Sequence, residues 1–379
     1  MSINIIVGAR FNASLAANTL VENDIDFSVY SSSIRKNWPV KPENYNFIPM
    51  PSLLAARGFG LPRTSYLKEL DANIFDFLAS KTMKHKKILH GWASFCLRSA
   101  TLQKQRGGYV ILDRACPHIK TQRKILKKES QNLGIEFNEI SDAMVSRMEA
   151  EYKIADIIIV PSKYTYNSVI EEGVNEDKLR IAKLDANFKP HSSSLSLQSN
   201  TQEIFTIGAI GGNVLRKGFI YLLRAWEKLN LDNAKLILKT SKKELKKFPE
   251  IINILSRNRN IEIIGYLDNI EDFYAKCDVF CLPSIDDGFG MVVMEALACG
   301  KPVLTTKNVG ASEFINNFEN GFVYDHGNIE LLMYYISTLN EDRELLQDMK
   351  RNSKLSYEKY KSSKSTYSKC LMNIYGELL

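Results

Sequence analysis

The chain predicts an α/β protein built as two Rossmann-like domains, and three observations lead there. Short apolar runs alternate with Gly- or Pro-containing turns and amphipathic stretches, the pattern of βα units that make a parallel sheet. Residues 149–162 (EAEYKIADIIIVPS) echo residues 271–284 (EDFYAKCDVFCLPS): each has acidic and aromatic residues, Ala, Asp, an apolar strand and Pro-Ser. That echo fits two similar halves better than one large sheet. At 379 residues the chain also exceeds one typical core and suits two domains of roughly 180 residues each.

The first half opens with a strand at Ile3–Val7 (INIIV). From Gly8, GARFNASLAANTLVEND is a turn and a small-residue helix, with Gly8, Arg10 and Asn12 in or beside the turn. Phe27–Tyr30 is the next strand. His90 follows another short strand in LHGWAS, where Trp92 reads as core. Val110–Leu112 is a strand that runs into Asp113-Arg114-Ala115-Cys116-Pro117-His118. A His just past a strand end can donate to a sugar or phosphate oxygen. A basic helix follows (KTQRKILKKE), then the strand of EYKIADIIIVPS, and KLRIAKLDANF supplies the last strand. The Ser-rich, uncharged PHSSSLSLQSNTQ reads as an exposed linker, so the first domain is residues 1–190.

The second domain, 203–358, opens with the strand Ile204–Ile210 and the turn GGNVLRKGF. In the following helix Leu222, Leu223, Ala225, Trp226 and Leu229 share an apolar face. Gly211 and Gly212 let a ligand approach the backbone. Arg216 and Lys217 beside the helix entry would neutralise a diphosphate, Arg as a planar fork of donors and Lys as a mobile charge. Alone, such a pair reads equally as a solvated helix start. Next come a strand at Lys235–Lys239, a Lys-rich helix over 241–256, a strand at Ile261–Ile264 and the loop Gly265-Tyr266-Leu267.

Residues 277–306 (CDVFCLPSIDDGFGMVVMEALACGKPVLTT) are the most ordered stretch. Val279–Leu282 is a buried strand that Asp278 caps or braces, Pro283–Gly290 a turn, Met291–Ala298 a helix, and Gly300-Lys301-Pro302 stops it. In open α/β sheets a ligand sits at the carboxyl ends of the strands, against the positive N-terminus of the next helix. Glu295, one turn in, is within reach of ligand hydroxyls. The unit therefore predicts an anionic ligand that carries hydroxyl groups. An amphipathic helix from about 359 to 379 closes the chain.

The run PSxxxGFGxxxxEALAxGxPV, followed by a Gly-containing loop and Glu313, closely resembles the donor-site signature of retaining glycosyltransferases of family 4, the glycosyl transferases group 1. The resemblance implies the GT-B fold, two Rossmann-like domains facing across a central cleft, with the closing helix crossing back onto the first domain. It implies a sugar nucleotide bound by two acidic residues with seven positions between them, here Glu295 and Asp287. Asp287 stands where the family usually has Glu, one methylene longer. The resemblance also makes Arg216 and Lys217 the diphosphate ligands and Gly265–Leu267, with Tyr266 and Leu267, the base pocket. The turn and helix start Phe289, Gly290, Met291 and Val292 become the source of N–H donors. DRxxxHI and the basic helix after it recur in one branch of the family, where the His contacts the donor sugar and leaving phosphate. That implicates His118. The first loop faces the cleft in that family, which implicates Gly8, Arg10 and Asn12.

The expected activity is transfer of a sugar from a UDP- or GDP-linked donor to a hydroxyl of a glycan, lipid-linked or protein acceptor. No cofactor or metal is required, since the cationic side chains carry the charge. A non-catalytic nucleotide-sugar-binding subunit is the main rival; a phosphorylase or epimerase on the same scaffold is another. The six Cys are scattered without a CxxC pair and read as reduced core thiols, and no apolar run approaches the length of a membrane span, so the expected place is the cytoplasm. Residues 1–190 hold 27 Lys and Arg against 20 Asp and Glu, whereas 191–379 hold 23 of each. The whole positive excess thus lies in the first half, a surface that reads equally as solvated helix faces or as one that could attract anionic lipid headgroups at the inner face of a membrane, or an acidic polymer acceptor. The basic stretches lack interleaved aromatics, which argues against nucleic acid.

Overall fold

The computed structural model describes the chain apart from residues 10, 60–63, 138, 185–187, 189–203, 266 and 363–366, and apart from the side chains of Asn37 and Arg57. Two compact units emerge. The first comprises Met1–Lys124, Glu136–Asp185 and Lys364–Leu379, the second Ile125–Ile135 and Ala186–Ser363. The linker proposed for 190–202 falls wholly outside the described residues.

In the first unit the chain runs β1 (Ser2–Val7), α1 (Ala13–Glu22), β2 (Asp26–Ser31), β3 (Tyr45–Phe47), α2 (Pro51–Phe59), α3 (Ser65–Thr82) and β4 (Ile88–Trp92). It continues through α4 (Leu97–Gln105), β5 (Tyr109–Asp113), α5 (Ile119–Asn132, of which the residues from Ile125 on are grouped with the second unit), α6 (Asp142–Ile154), β6 (Ile157–Val160), α7 (Lys163–Glu171) and β7 (Leu179–Ile181). The strands form one sheet in the order β3-β2-β1-β4-β5-β6-β7, and its strand pairs are parallel. Helices cover such a sheet on both faces, which is why its strands are apolar runs rather than alternating ones. Ile6, Leu89, Leu112 and Ile158 from the strands meet Phe75, Ala100, Met148 and Val169 from the helices in one core.

The second unit repeats the plan with β8 (Phe205–Ile210), α8 (Phe219–Leu229), β9 (Ala234–Lys239), α9 (Lys242–Leu245), α10 (Pro249–Arg257), β10 (Ile261–Ile264) and α11 (Glu271–Ala275). Then come β11 (Val279–Leu282), α12 (Met291–Ala298), β12 (Val303–Thr306), β13 (Gly321–Tyr324), α13 (Ile329–Glu341) and α14 (Arg343–Ser362). Its parallel sheet has the order β10-β9-β8-β11-β12-β13. The last helix, α15 (Tyr367–Glu377), belongs to the first unit.

The internal echo has a physical basis. Asp156, just before β6, accepts from the Val110 N–H at 2.8 Å and from Lys104 Nζ at 2.7 Å. Asp278, at the matching place before β11, accepts from the Thr206 N–H at 2.9 Å and from Lys350 Nζ at 2.7 Å. Each carboxylate thus ties the start of its strand to the start of the neighbouring one, with a lysine to balance its charge.

Two sequence expectations change. The single helix over 241–256 is two, because Pro249 lacks an N–H to continue α9 and instead starts α10, with Phe248 extended between them. The closing helix expected from 359 is also divided: residues 359–362 end α14, and α15 begins at Tyr367. All six cysteines are free thiols, and Cys96, Cys277 and Cys281 are buried. Among the described residues no helix is long and apolar enough to cross a membrane.

Candidate functional site

In the second sheet the strand order reverses between β8 and β11, and the turns after those two strands meet at the carboxyl edge. Asn213 shapes the first turn: its carbonyl accepts from the Lys217 N–H and its Oδ1 from the Arg216 N–H, both at 2.9 Å. The Arg216 carbonyl accepts from the Ile285 N–H at 3.0 Å, which joins the two turns. Gly218, at φ +62°, packs so closely that a Cβ would lie 2.0 Å from the Pro283 carbonyl oxygen. Only glycine meets both demands. A Cβ on Gly211 would strike Lys217 Cγ at 2.4 Å, whereas Gly212 has open space around it.

This contact of turns brings Lys217 to Asp287, 70 residues on, and their side chains form an ion pair with each only 12% exposed. Burial pushes the Asp287 carboxyl up, but the charges of Lys217 and then Arg216 outweigh it and hold it below the ordinary Asp value. The Phe289 N–H also points at this carboxylate. The backbone is fixed as well: the Asp287 N–H donates to Asn308 O, and the Gly310 N–H donates to Asp287 O, both at 2.9 Å. Gly290, at φ +84°, caps α12, and the first turn of that helix presents Met291 and Val292. Glu295 is held by Tyr274, whose hydroxyl donates to Oε2 at 2.9 Å. Burial raises the Glu295 carboxyl; Tyr274 and the charge of Lys239 temper the rise.

The structure thus gathers Gly211, Gly212, Arg216, Lys217, Asp287, Gly290, Met291, Val292 and Glu295 on one edge of one sheet. Phe289 is there too, but its ring is core, 6.2 Å from Phe314, and its N–H serves Asp287. Leu267 follows β10 on the same sheet, and Tyr266 lies outside the described residues. Two further hydroxyls carry no sequence signal. Thr240 at the end of β9 and Ser284 after β11 are buried, and neither Oγ has a hydrogen-bond partner among the described residues.

In the first unit Gly8 has a packing reason: a Cβ there would lie 2.2 Å from the Phe95 ring. Arg10 lies outside the described residues. Asn12 spends its side chain between two strand ends, accepting from Trp92 Nε1 at 2.8 Å and donating to Asp113 Oδ2 at 3.1 Å. His118 is buried against Tyr152, ring centroids 4.8 Å apart, and its Nδ1 accepts from the Lys120 N–H at 3.3 Å. Burial lowers its pKa to about 4, so the imidazole is neutral near pH 7. It lines a hollow of about 260 Å³ with Glu149, Tyr152, Glu172 and Lys178. Among the described residues no group of three or more His, Cys, Asp or Glu could hold a metal ion.

Two parallel-sheet Rossmann-like units, with this turn-to-turn arrangement in the second, define the GT-B class of fold that glycosyltransferases use. Residues 192–356 match the family model of the glycosyl transferases group 1. Over its whole length the fold is similar to a sucrose-phosphate synthase from Thermosynechococcus elongatus, at 15% identity, with 99% of this chain and 98% of that one covered and a TM-score of 0.71. It is also similar to Anabaena HepE solved with UDP and glucose, at 17% identity, 100% and 98% coverage and a TM-score of 0.67. In sequence it is 25% identical over 242 residues to CapM of Staphylococcus aureus, a capsular polysaccharide biosynthesis glycosyltransferase, covering 61% of this chain and 63% of CapM. Matches to curated relatives span only part of those proteins' lengths, from 32% to 63%.

Proposed function

We propose that the protein is a retaining glycosyltransferase that moves a sugar from a nucleoside diphosphate to a hydroxyl acceptor. The observation that carries this reading is the convergence of Arg216, Lys217, Asp287 and Glu295 where the β8 and β11 turns lock together. Arg216 and Lys217 would hold the diphosphate and offset the charge that develops as it leaves, work that a preorganised cation does without reorganisation at the moment of reaction. The first turn of α12 would add N–H donors from Met291 and Val292. Glu295 would accept from ribose hydroxyls, and Asp287 would orient the sugar while keeping Lys217 in place. Neutral His118 would act as a hydrogen-bond donor through its Nε2–H. With two cations and a helix N-terminus on the diphosphate, the reading needs no divalent metal.

UDP bound in HepE and the capsular role named for CapM support a UDP-linked sugar and a glycan or lipid-linked acceptor. The basic first half supports work at the cytoplasmic face of an anionic membrane. A thermal-shift screen of UDP, GDP, ADP and their sugar conjugates, followed by donor-hydrolysis and transfer assays, tests the reading. A nucleotide that binds yields a positive shift by mass action. Nucleotide binding with no turnover on any conjugate would make the chain a binding subunit instead.

A further inference from the structure

In the first unit α3 packs against α4, and the groove between them holds a hollow of about 640 Å³, with Arg147 of α6 in its wall. The charged groups that line it are one carboxylate, Asp76, and three cations, Lys81, Arg98 and Arg147. The carboxylate is fully used. Its Oδ1 accepts from the Ser99 N–H at 3.0 Å and the Ser99 hydroxyl at 2.7 Å. Its Oδ2 accepts from the Arg98 N–H at 2.7 Å and from the Arg147 guanidinium. Asp76 thus satisfies two N–H groups at the start of α4, so any pull on an anion comes from side chains rather than from the helix end. Arg147 is spent as well, with Nε on Ser94 O at 2.8 Å and Nη1 on Asn73 Oδ1 at 2.6 Å.

Lys81 and Arg98 remain, and neither makes an ion pair among the described residues. Both are set against the ring of Phe77, Lys81 Nζ at 5.8 Å and the Arg98 guanidinium carbon at 5.2 Å from its centroid. Two cations gathered on one ring repel each other, and an anion between them turns that repulsion into attraction. Neutral donors line the same hollow. Arg147 occupies Asn73 Oδ1, which leaves the Asn73 amide hydrogens without a partner among the described residues, and Gln105 adds a second amide. Leu97 and Leu102 supply the apolar part of the lining. Arg offers a planar fork that fits phosphate oxygens, and Lys a mobile charge. A phosphate monoester carries about −1.5 to −2 near pH 7, which matches two free cations where a carboxylate matches one. The hollow is larger than a lone phosphate and of the size of small-molecule sites, so the body that bears the phosphate has room.

We propose that the α3–α4 groove is a binding site for a phosphate monoester, with the phosphate between Arg98 and Lys81 and the body of the ligand against Leu97 and Leu102. The site lies within the first unit, shares no residue with the donor edge and does not depend on the glycosyltransferase reading. Calorimetric titration of the full chain with glycerol 3-phosphate and glucose 6-phosphate tests it, with succinate and glucose as controls. Wild type binds at least one ester more tightly than either control. Arg98→Gln weakens that binding by about fivefold or more and Lys81→Gln by about threefold, effects of the size expected of charge-assisted contacts open to water. Both side chains are exposed, so the variants keep the melting point of wild type. Lys243→Gln, which removes an exposed lysine from the second unit, and Lys217→Met leave the affinity within about twofold. Pelleting with vesicles that contain phosphatidic acid separates a lipid-borne phosphate from a soluble one. Arg98-dependent pelleting without binding of soluble esters would keep the groove and make the phosphate a headgroup. No binding of either form, binding that survives Arg98→Gln with Lys81→Gln, equal affinity for succinate, or an equal loss in Lys243→Gln or Lys217→Met would each overturn the assignment.

Discussion

Replacing Lys217 with Met tests whether the Lys217–Asp287 pair organises the second unit's site. The substitution keeps the aliphatic stem and removes the ammonium, leaving the Asp287 carboxylate 12% exposed with its main cation gone. Breaking a buried pair from one side costs about 3–5 kcal/mol. Arg216 also acts on Asp287 and some water reaches it, so about 2–3 kcal/mol is expected here. The partner substitution should be milder. Asp287→Asn keeps the acceptor shape and leaves a lysine on a flexible stem that can turn to water, so about 1 kcal/mol is expected. The double variant should then be more stable than Lys217→Met alone, because no uncompensated carboxylate remains. Urea unfolding of the four proteins near pH 7 measures all three quantities. Acid adds a check of sign: the Asp287 carboxyl is held below its ordinary 3.8, so the pair's contribution is full above that pH and is lost as pH falls through the lowered value. Nucleotide affinity should fall in parallel, by roughly 10- to 100-fold for Lys217→Met, since a hydrogen bond to a charged group is worth about 1.5–3 kcal/mol. If Lys217→Met lies within about 0.5 kcal/mol of wild type, or the double variant is no better than the single, the pair does not carry the load argued here.

The other expectations come from packing and from two buried groups of opposite sign. Gly218→Ala must push the Pro283 carbonyl away and part the two turns, so it should cost on the order of 2–4 kcal/mol and abolish the nucleotide-induced shift, while Gly212→Ala, with open space around it, should do neither; equal melting points for the two variants would contradict this. His90 is fully buried against Trp92 with its pKa pushed down to about 3 by burial, so the unfolded chain takes up its proton first as pH falls below 6.5. Between pH 6.5 and about 4.5 wild type should therefore lose about 2–3 kcal/mol more stability than His90→Gln, and parallel pH profiles would rule it out. Asp113 has its pKa raised from 3.8 to about 7 by burial, so its contribution is full below 3.8 and is lost as pH rises to 7. Asp113→Asn should gain on wild type by up to on the order of 4 kcal/mol between pH 4 and pH 8, read by chemical unfolding at each pH; a constant difference would mean the carboxyl is ionised in the folded state.

How far the sequence could be read depended on whether the signal was local. β11 and α12 appear at the residues where they were expected, because an apolar run, Pro283, and the glycines 290 and 300 each act within a few positions. β13 was missed, since GFVY is four residues long and follows an Asn- and Gly-bearing turn that gives no alternating pattern. The donor edge was legible as a set of residue types, Arg216, Lys217, Asp287 and Glu295, but not as an arrangement. Sequence treats Lys217 and Asp287 as two separate ligand contacts, whereas the fold makes each the other's partner across 70 positions. The first unit shows the limit more sharply. Gly8 looked like a ligand-admitting turn and proves to be a glycine because Phe95 leaves no room for a Cβ. Phe11, one of 18 phenylalanines, has nothing in its neighbours' identity to separate it from core. What sets it apart is a left-handed backbone at an exposed position, beside strands whose paired residues, such as Ile3 and Ile88, are 85 positions apart in sequence and that the sheet makes adjacent. A strand order that reverses between β1 and β4 is a property of topology, and any site it creates becomes visible only once the sheet is assembled.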